Sequence, residues 1–290
     1  MPMHPNILYN DQICKADQEV LTPGQIGLLS GWGVFTTLRI YGGIPFAFER
    51  HWQRLARDAQ LLHVELPQPP DVARTNLLRL IEANDAREAS MRLCIVRSQG
   101  GYWAGPGSGN ASDLIALTND LQGWDPPVAL DVARHCRHAA ASFTGTKTLS
   151  WAWNLTLAET AHRNGYAEVI LLNERGEVAE CTSANIFAAK DKITYTPPLS
   201  SGPLPGVTRA IMLEELDPPV EEKVLRIEDL IEADEVFITS TTRELLPVNR
   251  IQERLIAPSD RTSWPVMERL QEALSSYIRR YTEAVRRQAA

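Results

Sequence analysis

Residues 178–187 of the chain are VAECTSANIF, a short apolar run that ends in a carboxylate and is followed by small and polar residues. The pattern predicts a strand at 178–181 and the next one at 185–189. Glu180 lies near the end of the first strand, where its carboxylate can pair with a protonated heterocyclic nitrogen. A solvated acid at the end of a strand is the alternative.

Outward from this stretch, the pattern predicts short strands grouped with helices in both halves of the chain, an α+β fold. In the C-terminal half, strands are predicted at 128–133, 169–173, 193–196 and 235–239, and helices at 156–164, 208–216 and 264–287. In the N-terminal half, strands are predicted at 34–41, 91–97 and 114–118, with helices at 49–62 and after Pro70.

A Gly-Trp-Asp-Pro-Pro segment at 123–127 is the best candidate for an interdomain linker. It separates a small N-terminal α/β domain, residues 1–122, from a larger C-terminal domain, residues 128–290. The Gly-rich segment 98–112 is a long loop, a type of element that often carries function.

Composition excludes several classes of protein. The 290 residues are 44% hydrophobic, with 29 Lys+Arg against 36 Asp+Glu and a formal net charge of -7. Disordered, collagen-like and coiled-coil chains are excluded. No nucleic acid partner is expected, because the chain has no concentrated basic run. No apolar stretch reaches the roughly 20 residues of a membrane span, so no membrane partner is expected either.

The cysteines predict a reduced, cytoplasmic protein, because they lie far apart and form no pair. They are Cys14, Cys94, Cys136 and Cys181. The N-terminus also lacks the features of a secretion signal. No metal is expected, since the spacing of His135, Cys136 and His138 places these side chains on different faces of a strand end.

Lys147 is one of only five lysines among the 29 basic residues, and no carboxylate lies within ten positions of it. An amine without a counter-ion in partly apolar surroundings is suited to Schiff-base chemistry. A lysine whose amine extends from a helix start into solvent is the alternative.

Two further segments and one arginine predict an anion site. Gly206-Val207-Thr208-Arg209 opens a helix after a loop, so free N–H groups meet the positive end of the helix dipole. Residues 239–242, Thr-Ser-Thr-Thr, add hydroxyl groups at the end of a buried strand. Arg54 can supply a bidentate contact to phosphate. A helix start with nothing bound is the alternative for the first segment.

Together these residues resemble the fold-type IV pyridoxal phosphate enzymes, which include branched-chain aminotransferases, D-amino acid aminotransferases and 4-amino-4-deoxychorismate lyases. The resemblance covers about residues 31–247. It is carried by Phe35-Thr36-Thr37-x-Arg39, His51-x-x-Arg54-Leu55, Lys147, residues 180–187, Tyr195-Thr196-Pro197-Pro198, Gly206-Val207-Thr208-Arg209 and Ser240-Thr241.

The resemblance implies a two-domain fold, pyridoxal 5'-phosphate as cofactor and a homodimer with the active site between the domains. Lys147 would hold the cofactor as a Schiff base and transfer the proton, and Glu180 would keep the pyridine nitrogen protonated. The phosphate would be held by Arg54, the N–H groups of Val207 and Thr208, Ser240 and Thr241.

The resemblance also implies a choice of reaction. We expect a transaminase that moves the amino group of a branched-chain-type amino acid to a 2-oxo acid by a ping-pong cycle. A lyase that releases pyruvate and 4-aminobenzoate is the alternative, favoured by Thr36-Thr37, Lys147-x-Leu149 and Glu180-Cys181. A protein that binds the cofactor without turnover is a third possibility, of another class.

Substrate contacts are less defined by the pattern. Branched-chain enzymes place a tyrosine where this chain has Ala152, and D-amino acid enzymes place one where it has Phe35. Tyr102 is our candidate for the missing phenol. Arg39 and Arg97, each at the end of a predicted strand, are the candidates for binding a substrate carboxylate.

Overall fold

The computed structural model describes residues 2–100, 109–258 and 260–289. The chain forms two compact units. The first contains Met1–Gln122, Thr146–Trp151 and Tyr281–Ala290, and the second contains Gly123–Gly145 and Ala152–Arg280. The predicted α+β fold is confirmed. Within the described residues, no helix has both the length and the apolar character needed to cross a membrane.

The first unit is a six-stranded antiparallel sheet packed against helices. Its elements are β1 (Met3–Tyr9), β2 (Gln12–Lys15), α1 (Ile26–Ser30), β3 (Gly33–Tyr41), β4 (Ile44–Pro45), α2 (Phe48–Leu61), α3 (Pro70–Ala83), β5 (Ala89–Arg97) and β6 (Ser112–Asn119). The strand order is β2-β1-β6-β5-β3-β4, and each neighbouring pair is antiparallel.

The two faces of this sheet differ because side chains alternate along each strand. One face carries Leu38 and Leu93, which pack in a core with residues of α2 and α3. The opposite face carries Thr37 and Arg39 of β3, together with Arg92, which lies opposite Thr37 in the β3–β5 register. Polar and charged groups are thus collected on the face away from the core.

Helix α2 is amphipathic and buries Trp52, Leu55 and Ala59. Burial of such side chains stabilises the fold by roughly 1.5–3 kcal/mol each for the larger ones. The same face also buries two polar residues, His51 and Asp58. Buried polar groups need hydrogen-bond partners, so we expect His51 and Asp58 to make specific polar contacts inside the unit.

The second unit is a nine-stranded mixed sheet with helices. Its elements are β7 (Val128–Arg137), α4 (Ala152–Arg163), β8 (Glu168–Asn173), β9 (Val178–Cys181), β10 (Asn185–Lys190), β11 (Ile193–Thr196), a 3₁₀ turn (Leu199–Ser201), α5 (Val207–Glu214), β12 (Val220–Glu222), α6 (Ile227–Ile231), β13 (Glu235–Ser240), β14 (Glu244–Ile251), β15 (Arg254–Leu255) and the larger part of α7 (Pro265–Ala289). The residues of α7 from Tyr281 onward belong to the first unit.

Strand order in the second unit is β12-β11-β10-β13-β14-β7-β8-β9, with β15 paired to β14. The β11–β12, β14–β7 and β7–β8 pairs are parallel. The core side chains include Ile170, Ile186 and Ile238. Helix α5 contacts β13, so this helix and this strand pack together.

The division at 123–127 into two sequential domains stays a prediction. In the structure the second unit begins at Gly123, but two later segments belong to the first unit. Thr148 forms an isolated bridge with Val34, and the Tyr281 ring packs edge-on against Phe46 with centroids 5.3 Å apart. These long-range contacts carry no periodic signal in the sequence.

Candidate active site

The segment around Lys147 is fixed to β3 by main-chain hydrogen bonds. Phe35 N donates to Lys147 O at 2.9 Å, and Leu149 N donates to Gly33 O at 2.9 Å. On its other side, Lys147 N donates to Asp58 Oδ2 at 3.0 Å. Since both backbone groups of Lys147 are held, its side chain starts from a defined position.

The Lys147 amine lies over two aromatic rings of the first unit. Its Nζ is 4.6 Å from the centroid of Phe35 and 5.3 Å from that of Trp151. The two rings meet edge to face, with centroids 5.4 Å apart. The guanidinium of Arg92 also lies over Phe35, 4.9 Å from its centroid. Two cationic groups therefore share one aromatic platform, an arrangement that favours an anionic ligand.

Arg54 is connected to the buried His51 through the hydroxyl of Thr36. Arg54 Nη2 donates to Thr36 Oγ1 at 2.9 Å, and that oxygen is 2.7 Å from His51 Nδ1. Burial lowers the pKa of His51 well below its usual value, and the charges of Arg54 and Lys147 lower it further. The ring is then neutral, and its Nδ1 shares a hydrogen bond with the Thr36 hydroxyl.

Arg39 and Arg97, the candidates for binding a substrate carboxylate, lie on opposite faces of the sheet. Arg39 lies on the same face of the sheet as Phe35, with its guanidinium 4.6 Å from the Tyr41 centroid. By strand alternation, Arg97 belongs to the opposite face. There it stacks 3.9 Å from the centroid of Trp32 and donates from Nε to the main chain at 2.9 Å.

Tyr102 lies outside the described residues, so its assignment to the cofactor's phenolic oxygen stays a prediction. The substrate role of Arg97 stays a prediction as well. The geometry gives it no part on the face that carries the Lys147 amine.

In the second unit, Glu180 is the last acidic residue of β9 and is largely buried. Its Oε1 accepts from Arg137 Nε at 3.1 Å and is 3.0 Å from Arg137 Nη2. Its Oε2 accepts from Leu204 N at 3.0 Å. The Arg137 guanidinium is itself covered by the Trp153 ring, 4.9 Å from the centroid. These contacts hold the carboxylate in a defined orientation as a hydrogen-bond acceptor.

The loop that leads into α5 is held against β10. Asn185 Nδ2 donates to Leu204 O at 2.9 Å. A Cβ on Gly206 would lie 2.0 Å from Asn185 Oδ1, so only glycine permits this close approach. Helix α5 then begins at Val207 with no side-chain cap. The first N–H groups of the helix, including that of Thr208, have no intrahelical acceptor.

The predicted hydroxyl cluster lies where β13 ends. Ser240 is half-buried and its Oγ is 3.4 Å from Thr242 Oγ1. Thr241 follows it and is also half-buried. Just before them, the Oγ1 of Thr239 is buried without a hydrogen-bond partner among the described residues. In the β10–β13 register Thr239 lies opposite Asn185, so the same pair of strands supports the cluster and the loop before α5.

The second unit presents an oriented carboxylate, Glu180, and the uncapped N-terminus of α5. The loop before α5 is hydrogen-bonded to this carboxylate through Leu204 N. These groups suit a ligand with a protonated ring nitrogen and a phosphate. The first unit presents a lysine amine on an aromatic platform. A family profile described as amino-transferase class IV matches residues 33–251. The chain belongs to this family.

Relatives in the family carry different activities. The chain is 28% identical over 282 residues to a D-alanine aminotransferase of Bacillus licheniformis, covering 94% of this chain and 96% of that protein. It is 30% identical over 236 residues to a putative branched-chain-amino-acid aminotransferase of Methanocaldococcus jannaschii, covering 79% and 82%. It is 29% identical over 256 residues to an aminodeoxychorismate lyase of Bacillus subtilis, covering 85% and 87%.

Solved structures give the same fold. The branched-chain amino acid aminotransferase from Escherichia coli superposes with a TM-score of 0.84 at 27% identity, covering 95% of this chain and 94% of that chain. A second branched-chain amino acid aminotransferase, solved as a complex with N-(5'-phosphopyridoxyl)-L-glutamate, has a TM-score of 0.84 at 24% identity, covering 97% and 96%.

Pyridoxal 5'-phosphate is the cofactor of this class, and the residues of this chain fit it. The buried Thr239 hydroxyl has no protein partner among the described residues, and Gly206 lets the loop before α5 lie against Asn185. The unpartnered hydroxyl and the uncapped helix start suit a bound phosphate.

Sequence reasoning missed Asp58, Arg92, Arg137 and Asn185. Asp58 had a signal, because it is an acid on the mainly apolar face of α2. The signal for Arg92 was weaker. This residue lies on the same side of β5 as Cys94, because side chains alternate along a strand. For Arg137 and Asn185 the sequence gives residue type only, because their importance comes from contacts with Glu180 and Leu204, distant in the chain.

Proposed function

We propose that this protein is a pyridoxal phosphate dependent transaminase that moves the amino group of a branched-chain-type amino acid to a 2-oxo acid. The observation that carries the proposal is the Lys147 amine, held by its backbone and placed on the platform of Phe35 and Trp151 beside Arg92. Family membership supplies the cofactor.

When bound, the cofactor supplies a carbonyl carbon that condenses with amines and a ring that accepts electrons from the substrate Cα. Lys147 Nζ would hold the cofactor at this carbonyl carbon and would move the proton at the substrate Cα. Glu180 would accept a hydrogen bond from the protonated ring nitrogen, and Arg137 holds that carboxylate in its orientation. Arg54, the start of α5 and the hydroxyl cluster at 239–241 hold the phosphate.

The residues around the aromatic platform of Phe35 and Trp151 supply the remaining substrate contacts. Arg92 and Arg39 bind a substrate carboxylate, since both residues lie on the face of the sheet that carries Phe35. The Arg92 guanidinium lies over the Phe35 ring itself. Phe35 and Trp151 keep water from the reacting amine and favour an apolar substrate side chain. This apolar lining, together with the named branched-chain relatives, supports the substrate class.

The competing function is a lyase that releases pyruvate and 4-aminobenzoate from aminodeoxychorismate. It is supported by Thr36, which takes part in the Arg54–His51 chain of hydrogen bonds and belongs to the lyase-like motif, and by the lyase relative at 29% identity. The same lysine and cofactor serve both reactions.

Half-reaction spectra separate the two. The loaded protein is mixed with single amino acids, L and D, and conversion of the cofactor to its amine form is followed by absorbance. Conversion by valine, leucine or isoleucine supports the transaminase. Pyruvate release from aminodeoxychorismate without any 2-oxo acid, and no conversion by amino acids, supports the lyase instead.

We also propose a homodimer. Large apolar side chains are exposed in each unit: Leu28 and Leu29 in the first, and Phe143, Trp153, Leu155 and Leu199 in the second. A second copy would cover such surface. Sedimentation velocity tests this, with a monomer at micromolar concentration as the contrary result. A cytoplasmic location also stays a proposal, supported by four cysteines that are all free.

A further inference from the structure

The contacts of Leu204 link the two cofactor-binding groups of the second unit. Its N–H donates to Glu180 Oε2 at 3.0 Å, and its C=O accepts from Asn185 Nδ2 at 2.9 Å. The same carbonyl accepts from Gly206 N at 2.8 Å. One residue is therefore bonded to the carboxylate on one side and to the entry of α5 on the other.

Asn185 is the rigid end of this link. It is buried, with 6% of its surface exposed, and its backbone belongs to β10, where it lies opposite Thr239 of β13. A short polar side chain in the strand thus reaches a loop carbonyl 19 residues later in the chain. The contact with Gly206, which has no room for a Cβ, keeps the loop pressed against this side chain.

We propose that Asn185 is a positioning residue that fixes the separation between the Glu180 carboxylate and the first turn of α5. The inference rests on the proposed cofactor role of both groups. A rigid cofactor carries its ring nitrogen and its phosphate at a fixed distance. Binding at both ends at once requires the protein to hold the two acceptor groups at the matching distance.

If Asn185 sets this separation, its substitution should weaken the contribution of the phosphate to binding more than the contribution of the ring. Pyridoxal, which lacks the phosphate, is the natural comparison. The measured quantity is the ratio of dissociation constants, pyridoxal over pyridoxal phosphate, for the apoprotein. This ratio reports the phosphate alone, because the ring and carbonyl contacts are common to both ligands.

The main variant is Asn185→Asp, which keeps the size of the side chain but removes the amide donor to Leu204. A second variant, Gly206→Ala, disturbs the same contact from the other side, since its Cβ would meet Asn185 Oδ1. Thr196→Val is the matched control. It removes the buried hydrogen bond that Thr196 Oγ1 donates to the main-chain oxygen of Ile186, which lies on β10 like Asn185. It leaves the hydrogen bonds of Leu204 in place.

We expect the ratio to fall by about fivefold or more in both test variants, the scale of one lost buried hydrogen bond. It should stay unchanged in Thr196→Val, even if that variant unfolds at a lower temperature. A ratio equal to wild type in the folded test variants overturns the inference, as does an equal fall in the control. If one test variant fails to fold, the other decides.

Failure of the proposed function gives a different result. In that case wild-type apoprotein shows no preference for pyridoxal phosphate over pyridoxal, and no Lys147-dependent visible band. A wild-type preference that survives Asn185→Asp and Gly206→Ala leaves the function standing and removes only the role of Asn185.

Discussion

Asp58 is the buried group that fixes the main chain of Lys147, so Asp58→Ala should affect both stability and the reactivity of the lysine. The side chain of Asp58 is fully buried. It accepts from Lys147 N at 3.0 Å and from Arg57 Nε at 2.9 Å. The variant leaves the partly buried N–H of Lys147 without this acceptor.

The size of the effect follows from the charge on the acceptor. Hydrogen bonds to charged groups contribute about 1.5–3 kcal/mol, so we expect the free energy of unfolding to fall by about 2–3 kcal/mol. For units of this size that corresponds to a fall in Tm of roughly 4–12 °C. Asp58→Asn keeps an acceptor oxygen and should lose about half as much.

Urea unfolding measures the first effect, and the rate at which the apoprotein forms its visible band with pyridoxal phosphate measures the second. Asp120→Ala is the control. Its carboxylate belongs to a mostly exposed pair with His4 in the same unit, and exposed pairs contribute about 0–1 kcal/mol. A loss below about 1 kcal/mol for Asp58→Ala would refute the structural reasoning. A full loss with an unchanged rate of band formation would refute the link to Lys147.

Three further predictions concern other parts of the two units. Thr36→Val breaks the chain between Arg54 and His51 and should weaken pyridoxal phosphate binding about fivefold, while pyridoxal binding, measured by fluorescence titration, stays the same. Arg92→Met should raise KM for the 2-oxo acid at least about tenfold, and Arg97→Met, on the opposite face, should change it little in steady-state assays. The pKa of Glu177 is lowered to about 2 from 4.5, chiefly by its hydrogen bond from Arg175. Because this pKa is depressed in the folded protein, the stabilisation is complete above about 4.5 and is lost as pH falls towards about 2; urea unfolding of Glu177→Gln should show a weaker fall over this range.

The elements with strong local patterns were predicted from the sequence. Helix α2 showed its apolar spacing, and strands β9 and β11 were predicted with the bounds that the structure has. The helix predicted at 156–164 corresponds to the C-terminal part of α4, and Gly165 follows it with a positive φ of 80°. These signals are local, because the periodicity of a helix or strand is set by its own side chains.

Other features could not be predicted because they depend on distant partners. Strand β14 contains Pro247, which cannot donate to a ladder and so argues against a strand, yet β14 pairs with both β13 and β7. The return of Thr146–Trp151 to the first unit depends on single contacts such as the Val34–Thr148 bridge. No pattern within either segment encodes them.

The candidate site divides in the same way. Lys147 and Glu180 were found from residue type and from their immediate surroundings. Their partners Asp58 and Arg137 were not, because each lies far away in sequence, 89 and 43 positions from the residue that it holds. Sequence therefore indicated which groups carry the chemistry, and the fold showed what orients them.

The central claim is that Lys147 forms the Schiff base with pyridoxal phosphate, and borohydride trapping tests it most directly. The loaded protein is reduced, digested and mapped by mass spectrometry. We expect the phosphopyridoxyl group on Lys147, and no visible band in Lys147→Ala. Lys223→Ala, which removes another lysine lying over an aromatic ring, should keep both. A phosphopyridoxyl group on any other lysine, or a band that persists in Lys147→Ala, would contradict the account.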